Sequence, residues 1–314
     1  MNHKREKGMG YDVPAVCGFR GTDHAEVPTM ITLTAFVLTT STFLQLLRFG
    51  QQRGASLSII VAVNYTVAFG LTLAWGLTRL DTGTDHTTTL VAMGLVNGSL
   101  YFLHLLVTLA AFRLVGVGIT TALCMTASVT PAFVAWAAWG EAISTPQWAG
   151  LAMLPAAVFL MRPVSPPVAV RTFATLKVDL VLLLAFGMAA VVSTMHKAAD
   201  VFGRGGDQPL YNMTLFATAA ISSVAYAVWR RRRVTRFEMS MGVAIGTVNC
   251  VNLLLLLLSL SQLPTAIVFP VSSCLLIIVN LVASRFLWGE ALRRRQLLGV
   301  GVAIVVVILC NISG

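Results

Sequence analysis

Amide, phenol and imidazole side chains interrupt several long apolar runs of this sequence. Asn97, Tyr101 and His104 follow one another at spacings of four and three residues, which places them on one face of a helix. Such groups hydrogen-bond to small polar molecules, and an imidazole can also exchange a proton near neutral pH. Burying them in an apolar segment is costly unless they find partners. The stripe therefore predicts either a binding surface or hydrogen bonds between helices.

Similar polar groups stand in three other apolar runs. Asn249, Asn252 and Ser259 form a second stripe, and Asn64–Tyr65 has a partial echo in Tyr211–Asn212. Asparagine is also a common interhelical hydrogen-bonding residue in membranes, so packing remains the alternative for each one alone. For the set as a whole we expect a polar lining around a central cavity. The predicted binding residues are Asn64, Tyr65, Asn97, Tyr101, His104, Asn212, Asn249, Asn252 and Ser272.

No constellation of residues indicates catalysis or a metal site. His196 and Lys197 precede Asp200 by four and three residues, which predicts a local ion pair at the end of a helix. Four of the five cysteines lie in apolar runs without paired spacing, as expected for buried thiols. We find no glycine-rich phosphate loop and no nucleophile elbow. The sequence therefore predicts no enzyme, no cofactor and no metal.

Two glutamates and two prolines have structural explanations. Glu141 and Glu290 each precede a helix expected to start near Gln147 or Gln296, so we expect them to cap that helix. Pro131 and Pro270 stand inside apolar segments and predict breaks in two helices. A break there opens backbone carbonyls toward a cavity or kinks the helix for packing.

The elements that position these residues are membrane-spanning helices. The chain has 314 residues, of which 57% are hydrophobic and 11% are charged, a composition that a soluble core of this size cannot accommodate. A span requires about 20 apolar residues. Glycine pairs four residues apart, at 94 and 98 and at 242 and 246, permit close helix packing. Ten apolar segments are predicted, near 28–47, 56–78, 88–112, 115–138, 146–163, 178–199, 209–229, 238–260, 264–287 and 296–312.

The two halves of the chain repeat. Trp-Gly-Glu-Ala at 139–142 recurs at 288–291, an offset of 290 − 141 = 149 residues. Gly94 and Asn97 recur as Gly246 and Asn249, an offset of 246 − 94 = 152. Each half has five segments, an odd number, so the second half enters the membrane from the opposite side. An inverted repeat of this kind is typical of secondary transporters.

The predicted organisation has four parts. Residues 1–27 form a polar tail without the apolar core of a signal peptide. The first five-helix repeat covers 28–163 and the second covers 178–314. Between them, residues 164–177 form a linker that contains Pro166 and Pro167.

Over residues 28–312 the sequence resembles the EamA-like branch of the drug/metabolite transporter superfamily. The resemblance depends on two five-helix halves, each ending in a Gly-Glu, Gln, Gly pattern, and on Pro131 ten residues before Glu141. In the second half Asn280 stands where that proline would be, so the match is looser there. The resemblance implies transport of small metabolites, commonly export, without naming a substrate.

The sequence thus predicts a secondary carrier of a small polar metabolite, such as an amino acid, working by alternating access. An intramembrane enzyme acting on lipid headgroups and a passive channel or scaffold are the alternatives. The expected partners are the substrate and the lipid bilayer, with no nucleic acid, and the expected state is a monomer or weak homodimer. We expect a multi-pass protein of the bacterial inner membrane.

The positive charges predict an orientation. Of the 22 lysines and arginines, 15 lie in loops after odd-numbered segments, 3 after even-numbered ones and 4 in the N-terminal tail. Because positive loops stay in the cytoplasm, the odd-numbered loops should be cytoplasmic and both termini should lie outside it. The family resemblance points to the opposite orientation, with both termini inside.

Overall fold

The computed structural model describes residues 26–78, 87–115, 117–161, 175–203, 208–231, 234–288 and 294–312. Within these ranges the regular structure is entirely α-helical. The helices are α1 (Glu26–Gln52), α2 (Leu57–Gly76), α3 (Thr87–Val115), α4 (Val117–Thr126), α5 (Val129–Trp139), α6 (Thr145–Met161), α7 (Thr175–Phe202), α8 (Gln208–Trp229), α9 (Arg236–Gln262), α10 (Thr265–Trp288) and α11 (Arg294–Asn311).

The protein is an all-α, multi-pass integral membrane protein. Seven helices in the described part of the chain are long and apolar enough to cross a bilayer: α1, α2, α3, α7, α8, α9 and α10. Large apolar side chains lie on their outer surfaces; Leu183 is 67% exposed and Ile221 is 72% exposed. A bilayer covers such surfaces, whereas water would make them aggregate.

The fourth predicted segment, 115–138, is two helices rather than one continuous span. Helix α4 ends at Thr126 and α5 begins at Val129. Pro131 explains the break, because proline has no N–H and its ring clashes with the carbonyl four residues earlier, here that of Ala127. The Ala127 carbonyl instead accepts a hydrogen bond from the Thr130 N–H at 3.0 Å.

The predicted break at Pro270 is wrong. Helix α10 runs from Thr265 to Trp288 with Pro270 inside it. A proline removes one backbone hydrogen bond, and the well-packed helix tolerates this loss. Pro270 lies one turn and a half from the start of α10, in a fully helical stretch buried from Val268 to Cys274.

Two pairs of glycines allow α3 to lie close to α8 and α9 to lie close to α2. Gly94 and Gly98 of α3 lie against α8, where an added Cβ at Gly98 would collide with the Leu215 carbonyl. Gly242 and Gly246 of α9 lie against α2, and a Cβ at Gly246 would sit 2.6 Å from the Asn64 carbonyl oxygen. Helix α2 also packs along α8, and α6 packs along α11.

A buried carboxylate holds two helix starts together at one end of the bundle. Thr235 and Glu238 form a reciprocal capping box at the start of α9. The Oε1 atom of Glu238 also accepts the backbone N–H of Ser56, the residue before α2, at 2.7 Å. This clamp lies at the end of the bundle that carries the α1–α2 and α8–α9 loops.

Several predicted boundaries differ from the observed ones or lie outside the described residues. Helix α7 begins at Thr175, three residues inside the predicted linker 164–177. The rest of that linker, the tail up to residue 25 and Glu290 lie outside the described residues.

Candidate functional site

The first hydrogen-bonded chain joins α3, α8 and α7 in the interior. The Asn97 amide Nδ2 donates to the hydroxyl of Tyr211. The same hydroxyl shares a 2.9 Å hydrogen bond with His196 Nδ1. All three side chains are at most 3% exposed. Tyr211 lies at the start of α8 and His196 near the end of α7, so the bonds tie the two helices through the middle of α3.

A second chain joins α9, α2 and α3. Asn249 Nδ2 donates to Asn64 Oδ1 at 3.2 Å, and the Tyr101 hydroxyl donates to Asn249 Oδ1 at 3.4 Å. The Tyr65 hydroxyl reaches the Tyr101 carbonyl at 3.5 Å, the outer limit of a hydrogen bond. Thus Asn64, Tyr65, Tyr101 and Asn249, which are distant in the sequence, lie together.

Aromatic contacts connect the two hydrogen-bonded chains into one group of side chains. The Tyr101 ring lies 5.9 Å from the His196 ring in an edge-to-face arrangement and 5.8 Å from the Tyr65 ring. Phe216 of α8 packs within 6.5 Å of both tyrosines. We call this group the central cluster, and it consists of Asn64, Tyr65, Asn97, Tyr101, His196, Tyr211, Phe216 and Asn249.

Three polar atoms at or beside the central cluster are buried without a hydrogen-bond partner in the described residues. They are Asn97 Oδ1, Asn212 Oδ1 and His104 Nε2. Leaving a buried polar group unpaired costs about 1–3 kcal/mol. Native structures retain few such groups without a functional reason. Asn97 Oδ1 and Asn212 Oδ1 are thus buried acceptors that no group in the described residues satisfies.

The structure does not bring Asn252 and Ser272 into the central cluster. Asn252 Oδ1 accepts hydrogen bonds from Thr39 and Thr40 of α1, at 3.1 and 2.6 Å. The Ser272 hydroxyl donates to the Phe269 carbonyl of its own helix at 3.1 Å. Both contacts are explained by packing, Asn252 between α9 and α1 and Ser272 within α10.

Sequence reasoning missed two polar contacts between helices. Asn280 Oδ1 accepts from Ser41 Oγ and from Gln45 Nε2, joining α10 to α1. Ser273 Oγ donates to Ser128 Oγ at the break between α4 and α5. The signal for Asn280 in the sequence is an amide in the middle of an apolar helix.

The prediction of a local ion pair is confirmed for Lys197 and Asp200 and is wrong for His196. Lys197 Nζ lies 3.5 Å from Asp200 Oδ2, three residues along α7. His196 is not part of it, because its ring bonds to Tyr211 on another helix. Successive residues of a helix point about 100° apart, so His196 and Lys197 face different neighbours.

Glu141 caps a different helix from the one expected. Its Oε1 accepts the backbone N–H of Thr265, the first residue of α10, at 2.7 Å. Its Oε2 lies 3.9 Å from Lys197 Nζ. The start of α6 is held instead by Gln147, whose Oε1 accepts the Ser144 N–H at 3.0 Å. Sequence distance favoured the nearer helix, whereas folding brings the start of α10 to the α5–α6 loop.

Neither a metal site nor a disulfide is found in the part of the chain that the structure describes. No three His, Cys, Asp or Glu side chains there are grouped to bind a metal ion. Cys124, Cys250, Cys274 and Cys310 are free thiols.

Comparisons with known proteins identify the fold and no family. No family model matches the chain, and no curated protein matches it. A solved structure, described only as the crystal structure of a protein, superposes with a TM-score of 0.67. The superposition covers 90% of this chain and 97% of the chain in that structure, and the two sequences are 15% identical. At that identity the likeness extends to the fold alone.

Proposed function

We propose that this protein is a secondary transporter that moves a small polar metabolite, in the export direction, by alternating access. The observation that carries the proposal is the central cluster, with the unpartnered acceptor Asn97 Oδ1 inside it and Asn212 Oδ1 on the residue next to Tyr211. It lies between helices from both halves of the chain. Polar groups buried inside membrane spans are rare, and they often line substrate paths.

The reciprocal packing of the helices supports a two-repeat architecture for this carrier. Suppose that α1, α2 and α3 of the first half correspond to α7, α8 and α9 of the second. Each contact between the halves should then have a counterpart: α3 with α8 corresponds to α9 with α2, and α1 with α9 corresponds to α7 with α3. All four contacts occur. The glycine pairs of α3 and α9 are exchanged too. Repeats related in this way supply the two interconvertible arrangements that alternating access requires.

The location of the cluster suits such an exchange. Asn97 and Tyr101 belong to the proposed first repeat, and Tyr211, His196 and Asn249 belong to the second. Movement of one repeat against the other would make and break the Asn97–Tyr211 and Tyr101–Asn249 hydrogen bonds. A solute that replaces one of these hydrogen bonds binds with different affinities to the two arrangements of the repeats. Such a difference in affinity is the condition for coupling solute binding to the movement of the repeats.

Counterflow in proteoliposomes tests the proposal. Vesicles loaded with unlabelled amino acids and other small polar metabolites are diluted into trace labelled compound, one compound at a time. A carrier gives saturable uptake and a transient overshoot with at least one compound. Flux that is linear in concentration, without overshoot, would indicate a channel, and the absence of flux across the whole panel would contradict transport.

A further inference from the structure

The Lys197 ammonium group is buried, and in the described part of the chain it has two carboxylate neighbours, neither of them close. Its side chain is 4% exposed, and its two ion-pair distances are 3.5 Å to Asp200 and 3.9 Å to Glu141. A charge-assisted N–H···O hydrogen bond is about 2.7–2.9 Å long, and an ammonium group has three donors. Neither carboxylate therefore makes a close hydrogen bond with the nitrogen, which retains donor capacity for a further acceptor.

The start of α10 adds two further groups beside this lysine. The Thr265 backbone N–H already binds a carboxylate oxygen, Glu141 Oε1. The Thr265 hydroxyl is buried and has no partner in the described residues. A helix N-terminus attracts anions through its free N–H groups and its dipole. In transporters, the N-termini of discontinuous spanning helices use the same property to face anionic substrate groups.

Among the three charged side chains of this group that of Glu141 is the most accessible, although its Oε2 atom is buried. The Glu141 side chain is 20% exposed, whereas those of Lys197 and Asp200 are 4% and 0% exposed. Glu141 also comes from the loop between α5 and α6, whereas Lys197 and Thr265 belong to helices of the second half. Glu141 is thus the component that separates from the others if the halves move apart.

We propose that Lys197 and the start of α10 form a carboxylate-binding site, which Glu141 occupies in this structure and a carboxylate-bearing substrate occupies during transport. This inference rests on the proposed function and names the substrate class. Asp200 does not exclude a ligand carboxylate, because the lysine already shares its charge with Asp200 and Glu141. The neighbouring residue His196 belongs to the central cluster, so the two sites adjoin along α7.

Competition between Glu141 and the substrate would couple binding to opening. While Glu141 holds Lys197 and Thr265, it joins the α5–α6 loop to α7 and α10 and closes this end of the bundle. A substrate carboxylate that takes its place satisfies the same donors and releases the loop. A ligand shifts a conformational equilibrium only by its differential affinity, and displacement of Glu141 supplies that difference.

Chemical rescue tests the site with acetate as the probe. The purified full-length protein, E141A and the double variant E141A/K197M are unfolded thermally in sodium acetate, in sodium chloride of equal ionic strength and in acetamide. We expect acetate to raise the melting temperature of E141A saturably, beyond chloride and acetamide, as a ligand of the folded state does. Wild type should respond less because Glu141 competes, and the double variant should lose the response.

Two results would overturn the inference. One is an acetate response of E141A no larger than the chloride response, and the other is an undiminished response after Lys197→Met. If E141A does not fold, E141S gives the same comparison, because its short side chain also vacates the position of the carboxylate. Counterflow by the wild type together with failed rescue would remove this site and leave the proposed function standing.

Discussion

At the scale of single residues, the interior is organised by amide and phenol groups that each serve more than one neighbour. Asn249 donates to Asn64 and accepts from Tyr101, and Tyr211 bonds to both Asn97 and His196. A group with two partners links three helices, so its loss leaves two other buried groups unpaired. Such positions should be more sensitive than the lone serines and threonines that bond to their own helix.

Substituting Asn97 or Asn249 by alanine should weaken transport without preventing membrane expression. Each change leaves a buried partner unpaired, at about 1–3 kcal/mol. Because 1.4 kcal/mol corresponds to a factor of ten, the loss of this much solute binding should lower transport efficiency by roughly 5- to 150-fold. Thr247→Ala is the matched control on α9, since its exposed hydroxyl donates to the Val243 carbonyl of the same helix. Wild-type flux in the double variant N97A/N249A would show that these residues serve packing alone.

Tyr211→Phe should destabilise the protein, because it removes the hydroxyl shared by Asn97 and His196 and keeps the ring. The expected loss in the free energy of unfolding is about 1–3 kcal/mol. Tyr226→Phe on the same helix is the control. The contacts that the structure describes for Tyr226 are aromatic and cation–π contacts of its ring, which phenylalanine retains. Thermal unfolding in detergent measures both. Equal melting temperatures for the two variants would argue against the hydrogen-bonded chain.

At the scale of helices, close approach at the glycine pairs determines which side chains can meet. Without the Cβ-free surfaces of Gly98 and Gly246, α3 could not lie so near α8, nor α9 so near α2. Close contact of backbones through small residues is a common basis of helix association in membranes. It also brings Asn97 within reach of Tyr211 and Asn249 within reach of Asn64.

Gly98→Ala and Gly246→Ala should each destabilise the protein by about 1–3 kcal/mol, because the added methyl group collides with backbone that cannot rotate away. Gly187→Ala in α7 is the control, since nothing lies within 4 Å of its added Cβ. There alanine should stabilise the helix by roughly 0.5–1 kcal/mol. Melting temperatures of the three variants check the opposite signs. A shift of the same sign at all three sites would contradict the close-packing explanation.

At the scale of the whole molecule, two glutamates join segments that are distant in the sequence at opposite ends of the bundle. Glu238 links the start of α9 to the residue before α2, and Glu141 links the α5–α6 loop to the start of α10. Arg53, Arg230 and Arg231 lie at the Glu238 end. The Glu141 end has Lys197 in its buried ion pair. The arginine-rich end is the one that positive charge predicts to be cytoplasmic.

Reporter fusions check this orientation and the number of spans. A C-terminal fusion to a phosphatase that works only outside the cytoplasm should be active, and a C-terminal fluorescent protein that works only inside should be dark. Reporters at 166 and at the C-terminus should lie on opposite sides, since five spans are predicted between them. The reverse pattern at the C-terminus would show that the arginine distribution is misleading, and same-side reporters would contradict the five-span halves.

Much of the helical framework follows from the sequence because lipid imposes a simple rule. Every backbone group in the bilayer must be satisfied within its own segment, so long apolar runs become helices. The runs near 56–78 and 209–229 indeed correspond to α2 and α8. The rule does not give the outcome at prolines: Pro131 breaks its segment and Pro270 does not. That difference depends on the packing around each proline.

The sequence by itself determined that this chain is a helical membrane protein and that Asn64, Asn97 and Asn249 are unusual, since each polar group in an apolar run has a local cost. It could not determine partners, because the hydrogen bonds between helices join residues that lie from 15 to more than 200 positions apart in the sequence. Only the tertiary structure assigned Glu141 to the start of α10, His196 to Tyr211, and Asn252 to α1. Local composition limits which groups must find partners, and the packing of the helices decides which partners they find.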